Sequence, residues 1–253
     1  MRVLITGAGG YVGRRVARGL SADHELRLAD VDPPPGEAGW IRLDVTDPAQ
    51  ALAATRDVDA VIHLAIASGH EGDYEDVAFN QRRFDVNVKG TWNILEAARQ
   101  ANVQRLVHTS SIMVTWGYPR SESIAADAPP RPTGTYALTK AMAESICESF
   151  AREHGMSIVC LRIPKPIDLD DPRRKIRPQW LAFPDLIQAY RLALTAPNIE
   201  YEIITVVGES RGRRWDLEKA KRVLGYQPTI RLEEHGFVLG DEREPFEADA
   251  KVR

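Results

Sequence analysis

A chain of 253 residues, 43% hydrophobic and 27% charged, is long enough for one large α/β domain or two small ones and has the composition of an ordinary globular protein. Its 33 Lys and Arg against 36 Asp and Glu leave a formal net charge of -3, which removes the electrostatic case for nucleic acid or an anionic membrane as partner. No apolar run approaches the ~20 residues of a transmembrane helix, Met1 to Thr6 leave no room for a signal peptide, and only Cys147 and Cys160 occur, with no Cys/His cluster for a metal; a reducing, cytoplasmic location is expected.

Strand-like and helix-like stretches alternate from the first residue to about Lys165. Val3 to Ile5 is apolar and partly β-branched, and Tyr11 to Leu20 has helical spacing with Val12, Val16 and Leu20 on one side. Leu26 to Ala29 reads as a second strand ending in Asp30. Ile41 to Leu43 reads as a third, followed by Asp44 and by Thr46 or Asp47 as the cap of a helix opening near Pro48. Ala60 to Leu64 is a fourth strand, and a helix with Val86, Ile94, Leu95 and Ala98 among its apolar positions covers Phe84 to Ala101. Arg105 to Thr109, Tyr136 to Glu153 and Ser157 to Ile163 follow as strand, helix and strand. Beyond Pro164 the pattern loosens among many prolines, until a strand at Ile203 to Val207 and a helix from Asp216 to Leu224 stopped by Gly225.

Such alternation predicts an α/β fold, a Rossmann-like doubly wound parallel sheet covered by helices on both faces, with ligands at the carboxyl ends of its strands. The expected organisation is a core over residues 1–165, a small substrate-side lobe over 166–240 integrated with it, and an acidic, disordered tail over 241–253.

Two short runs carry the chemistry. Thr6-Gly7-Ala8-Gly9-Gly10-Tyr11-Val12-Gly13 follows the first strand and opens the first helix, the setting in which Gly7, Gly10 and Gly13 give a tight turn, close approach of backbone to a pyrophosphate, and close packing of helix on strand. Asp30 ends the next strand, where a carboxylate accepts from both ribose hydroxyls; a 2'-phosphate would meet its charge, so NAD is favoured over NADP. Asp44 and Val45 either reach the adenine edge or simply shape a turn.

The second run, Tyr136-Ala137-Leu138-Thr139-Lys140, puts a phenol and an ammonium one helical turn apart on one face. A free Tyr, with pKa near 10, needs about 4 kcal/mol of phenolate stabilisation to act as a base near neutrality, for which Lys140 and a nicotinamide cation are the expected sources. Ser110 and Ser111 end the fifth strand, so at least one hydroxyl faces the same crevice. His63 and His108 sit in strands and read as core or groove-lining residues.

With these residues in place the chain resembles the extended short-chain dehydrogenase/reductase family, also called the NAD-dependent epimerase/dehydratase family. The likeness runs through the Gly turn, His63-Leu64-Ala65, Asn87-Val88-Lys89-Gly90-Thr91, Thr109-Ser110-Ser111, Tyr136 to Lys140, Trp215 to Ala220 and Leu224-Gly225-Tyr226-Gln227-Pro228. It implies Tyr136 as acid/base, Lys140 as its partner and a cofactor ligand, and Ser111 rather than Ser110 as the hydroxyl that meets the substrate. It further implies Leu64, Ala65 and Asn87 along the cofactor groove, backbone near Ile163 at the carboxamide, and a homodimer built through the helices at 87–101 and 136–154.

Within the family the length and the Tyr118-Pro119-Arg120, Pro130-Arg131-Pro132 and Gln179-Trp180-Leu181 segments look most like uronate dehydrogenases and related sugar 1-dehydrogenases. Those enzymes carry an Asn-His pair where this chain has Ile112 and Met113, so two polar substrate partners have become apolar. Arg173, Arg174, Lys175 and Arg177 cluster in the loop expected over the substrate and read either as a clamp on an anionic group, with Arg174 and Lys175 foremost, or as a solvated loop. The function implied is oxidation of a hydroxyl, anomeric by the resemblance, of a sugar-like small molecule with NAD. A nucleotide-sugar epimerase or dehydratase that retains NAD, and a non-catalytic NAD sensor on the same fold, are the alternatives.

Overall fold

In the computed structural model, which describes residues 1–37, 39–69, 73–172 and 175–241, the chain is organised by one parallel sheet. Its strands are β1 (Arg2–Thr6), β2 (Glu25–Asp30), β3 (Trp40–Arg42), β4 (Ala60–His63), β5 (Arg105–Ser111), β6 (Ser157–Ile163) and, after three two-residue strands β7 (Pro166–Ile167), β8 (Lys175–Ile176) and β9 (Leu181–Ala182), β10 (Tyr201–Thr205). The order is β10-β6-β5-β4-β1-β2-β3, parallel at each pairing. The order reverses between β1 and β4, which opens a crevice at their carboxyl ends.

Alternate side chains of each strand feed two apolar layers. Val3, Ile5, Ile62, Val107 and Leu161 pack under α1 (Tyr11–Leu20) on one face, whereas Leu4, Val61, Leu106 and Ile158 pack under α2 (Pro48–Thr55) on the other. This second layer continues through α4 (Gly90–Gln100) and α5 (Thr135–His154), with Ile94, Leu95, Cys147 and Phe150 buried in it. Between β4 and α4 lies α3 (Val77–Arg83), then six residues, Phe84–Lys89, in wider π-helical turns; such widening is common near functional sites. Asp47, not Thr46, caps α2, accepting from the amides of Ala49 and Gln50 at 2.8 and 3.2 Å.

The chain beyond residue 165 contributes to both the main body and a smaller unit. Helix α6 (Phe183–Thr195) packs beside α1, its Leu186, Ala189, Tyr190 and Ala193 entering the first layer, and β10 completes the sheet. Helix α7 (Glu218–Leu224) ends at Gly225 in the left-handed conformation, φ +69°. A separate cluster of Ile167, Ile176, Trp180, Leu232 and Phe237 joins the β7–β9 pair to the pair that β8 makes with β11 (Val238–Leu239). The expected disorder of the tail falls almost wholly on residues outside the described ones. No helix among the described residues is long and apolar enough to cross a membrane.

Candidate active site

A long groove runs along the carboxyl ends of the strands, lined at one end by the Gly turn, Asp30, Asp44 and Val45 and at the other by Ser111, Met113, Trp116, Arg177 and Trp180, with Tyr136 and Lys140 between. The turn at its floor requires glycine. Gly7 has φ +68°, and a Cβ there would lie 2.7 Å from the Ala65 nitrogen; at Gly13 it would lie 2.2 Å from the Gly7 carbonyl oxygen. Helix α1 starts behind this turn with Gly10 as its cap, no side chain bonded across its end and no acidic residue in its first turn. A helix start that no side chain caps, at the positive end of the helix dipole, suits an anion such as a pyrophosphate.

Asp30 stands over the turn from the end of β2, accepting from the amides of Gly9 at 2.9 Å and Asp32 at 3.2 Å. Its two oxygens keep further acceptor capacity on the groove side, as ribose hydroxyls need. Asp44 both shapes the turn after β3, accepting from the Thr46 amide and hydroxyl at 2.9 and 2.8 Å, and lines the groove. Tyr11 and Val12 line the groove floor, and Leu64, Ala65 and Ile163 its wall.

Ser110 and Ser111 are the last two residues of β5, and the alternation of the strand separates the two side chains. Ser110 donates to buried Glu144 at 2.6 Å, whereas Ser111 accepts from the Met113 amide at 3.2 Å and lines the groove together with Tyr136. Burial pushes Tyr136 up to about 12 and the neighbouring Tyr74 adds to this; the Ser111 hydroxyl and the cation of Arg83 pull the other way. Lys140, 3% exposed, donates to the Thr109 carbonyl oxygen at 2.6 Å. Burial brings its ammonium down to about 8, with Glu144, one turn further along α5, opposing the fall.

Beneath this set lies a buried polar layer. Arg162 makes a two-pronged pair with Glu144 at 2.8 and 2.7 Å. Burial holds His63 down to about 3 and His108 well below the ordinary histidine value, the Lys140 cation adding to both, so the two imidazoles are neutral core groups. Asn87 is a correction to the sequence reading: it is buried behind the groove wall rather than lining it, its side chain accepting from the Ala67 amide at 2.9 Å and donating to Thr139 at 3.0 Å. It ties the loop after β4 to the helix that carries Tyr136.

On the substrate side, Ile112, Met113 and Trp116 give the groove an apolar wall. Trp215 stacks on Trp116 with centroids 5.8 Å apart and donates to Thr115 at 2.9 Å, so the C-terminal Trp motif holds the loop after Ser111 in place. Lys175 is exposed on β8, while Arg173 and Arg174 lie outside the described residues. Sequence reasoning missed Tyr74 and Glu75, which line the groove beside Tyr136, and the buried Arg83 behind them.

The model of the NAD dependent epimerase/dehydratase family matches residues 3–168. The chain belongs to that family. Among its relatives, L-arabinose 1-dehydrogenase (NAD(P)(+)) of Haloferax volcanii is 30% identical, over 90% of this chain and 96% of the relative. Uronate dehydrogenase of Pseudomonas putida is 31% identical, over 90% and 83%. A crystal structure of uronate dehydrogenase from Agrobacterium tumefaciens superposes with a TM-score of 0.81 at 25% identity, covering 92% of this chain and 86% of that one. As an epimerase/dehydratase family member the chain has the dinucleotide cradle and the Ser–Tyr–Lys neighbourhood in one groove, and the glycines, the helix start without a side-chain cap and Asp30 all fit NAD.

Proposed function

We propose that this protein is an NAD-dependent dehydrogenase that oxidises a hydroxyl, the anomeric one, of a sugar-like substrate. The observation that carries the reading is the convergence of Ser111, Tyr136 and Lys140 beside a cradle built for a dinucleotide. Gly7, Gly10, Tyr11, Val12 and Gly13 would hold the pyrophosphate, Asp30 the adenosine ribose, and Leu64, Ala65 and Ile163 the nicotinamide half. NAD bound there supplies the hydride acceptor. Ser111 orients the substrate oxygen, and Tyr136 takes the hydroxyl proton as the C–H bond gives up its hydride. Lys140, anchored on the Thr109 carbonyl oxygen, keeps N–H groups that would serve the nicotinamide ribose and the phenolate. The names of the relatives, arabinose and uronate dehydrogenases, support a sugar.

Met113 and Trp116 suit the apolar face of a sugar ring, and Arg120, Lys165 and Arg177 along the same end of the groove suit an anionic group on it. The apolar side chains of Trp92, Leu138 and Met142 exposed on α4 and α5 support a homodimer through those helices, and two buried thiols, Cys147 and Cys160, support a cytoplasmic site of action. Tyr136→Phe tests the chemistry: turnover is expected to disappear with NAD affinity nearly unchanged, and retained turnover would sink the assignment.

A further inference from the structure

Between β4 and α4 the segment 73–83 turns back over the start of α5. Helix α5 opens at Thr135 after Gly134, φ +82°, with no side-chain cap from its own N-cap residue. Glu75 fills that role from outside: both of its carboxylate oxygens lie 3.3 Å from the Thr135 amide, which donates to them. A Cβ at Gly134 would stand 3.0 Å from Glu75 Oε1, so the glycine lets the carboxylate reach the helix end. An anion at a helix start is favourable both as a cap and toward the helix dipole. Tyr136 is the second residue of that helix, so whatever fixes its first turn fixes the phenol.

Glu75 is itself held. Asn80 Nδ2 donates to its backbone oxygen at 2.9 Å and to Oε2 at 3.1 Å, and Arg83 Nη1 lies 3.5 Å from Oε1. Arg83 is 0% exposed, with its guanidinium 3.9 Å over the Tyr74 ring, 4.3 Å over the Phe79 ring, and donating to Asn80 Oδ1 at 2.5 Å. A wholly buried guanidinium is costly unless paired and stacked, so its place next to the proposed acid/base calls for a purpose.

We propose that Glu75 and Arg83 are positioning residues for Tyr136: Glu75 supplies the N-terminal cap that α5 lacks, and Arg83 sets a fixed positive charge, additional to Lys140, on the phenol side of the site. The proposal rests on the reading of Tyr136 as the acid/base. The groups acting on the phenol are Ser111 from β5, Tyr74 and Arg83 from the 73–83 segment and Tyr190 from α6, with Glu75 at the amide of the preceding residue and Lys140 one turn further along α5. Of the two side chains, Arg83 favours the phenolate by charge and Glu75 opposes it, so removing each has an opposite sign.

The test is an NMR pH titration of Cζ-labelled tyrosine in the NAD-bound protein, with the Tyr136 signal assigned by its loss in Tyr136→Phe. Arg83→Met is expected to move the Tyr136 midpoint upward by about half a unit or more, with Arg83→Lys restoring most of the shift. Glu75→Gln is expected to move it downward and to lower hydrogen-exchange protection at the first turn of α5. A purely structural role would change thermal stability and leave the midpoint in place, and that result in folded Arg83→Met overturns the proposal. Should Arg83→Met fail to fold, Glu75→Gln decides: a downward shift with faster exchange supports the proposal, and an unchanged or raised midpoint overturns it. Turnover by Tyr136→Phe would instead overturn the acid/base reading, whatever the titrations give.

Discussion

Replacing Arg162 by Met probes the charged layer on which the active site rests. Glu144 and Arg162 have side chains only 2% and 3% exposed, joined by two hydrogen bonds of 2.8 and 2.7 Å, and Ser110 adds a third to Glu144 at 2.6 Å. Removing one partner of such a pair strands the other charge in a poorly polarisable interior, at a cost of about 3–5 kcal/mol. Ser110 and the nearby Lys140 cation stay with Glu144 in the variant, which places the cost at the lower end, about 3 kcal/mol. A chain of this length loses roughly 2–4 °C in Tm per kcal/mol, so thermal unfolding followed by circular dichroism at neutral pH should show a drop of roughly 6–12 °C. The double variant Glu144→Leu/Arg162→Met strands no charge and should regain most of that loss. It should nevertheless turn over poorly at neutral pH, because Glu144 is what opposes the fall in the Lys140 pKa. A single variant within about 2 °C of the parent, or a double variant no more stable than the single, would refute the reasoning.

Further predictions concern the cofactor end and the lysine. Gly13→Ala puts a methyl 2.2 Å from the Gly7 carbonyl oxygen, where backbone must move, and calorimetry should find NAD affinity reduced about 100-fold or more; near-parental affinity would contradict the cradle. Asp30→Ser removes the negative charge facing a 2'-phosphate, so the ratio of NADP to NAD affinity should rise by about 10-fold or more, and an unchanged ratio would show that Asp30 does not read the ribose. Folded Lys140 binds its proton less tightly than the unfolded chain, about 8 against 10.5, so its charge costs of order 3 kcal/mol below pH 8, a cost that fades as pH rises from 8 to 10.5. Lys140→Met should thus be inactive yet at least as resistant to urea as the parent at pH 7, with the advantage shrinking by pH 9.5; a variant less stable at both pH values would contradict this.

The sequence made the strands and the cofactor turn legible because each is a local pattern. Val3 to Ile5 leading into Gly7, Gly10 and Gly13 needs no tertiary information, nor does the switch from period two to helical spacing. Helix α6 was hidden by Pro184, which looks like a breaker in a proline-rich stretch but sits in the first turn, where its missing amide costs nothing. Tyr136 and Lys140 were visible as an i, i+4 pair; the residues alone left Ser110 and Ser111 equal, the resemblance pointed to Ser111, and the structure turns Ser110 to buried Glu144. Asn87 carried a motif but no information on depth. Glu75 and Arg83 carried no signal, since a cap from some 60 residues away and a cation buried by two aromatic rings exist only once the chain has folded.

The central claim is hydride transfer from a sugar hydroxyl to NAD, and the most direct measurement is nicotinamide reduction, followed by absorbance, when the protein and NAD meet L-arabinose, other aldoses, uronic acids and sugar phosphates in turn. Reduction by at least one of these sugars is expected, and none with Tyr136→Phe. Saturating NAD binding without reduction by any sugar would contradict the account.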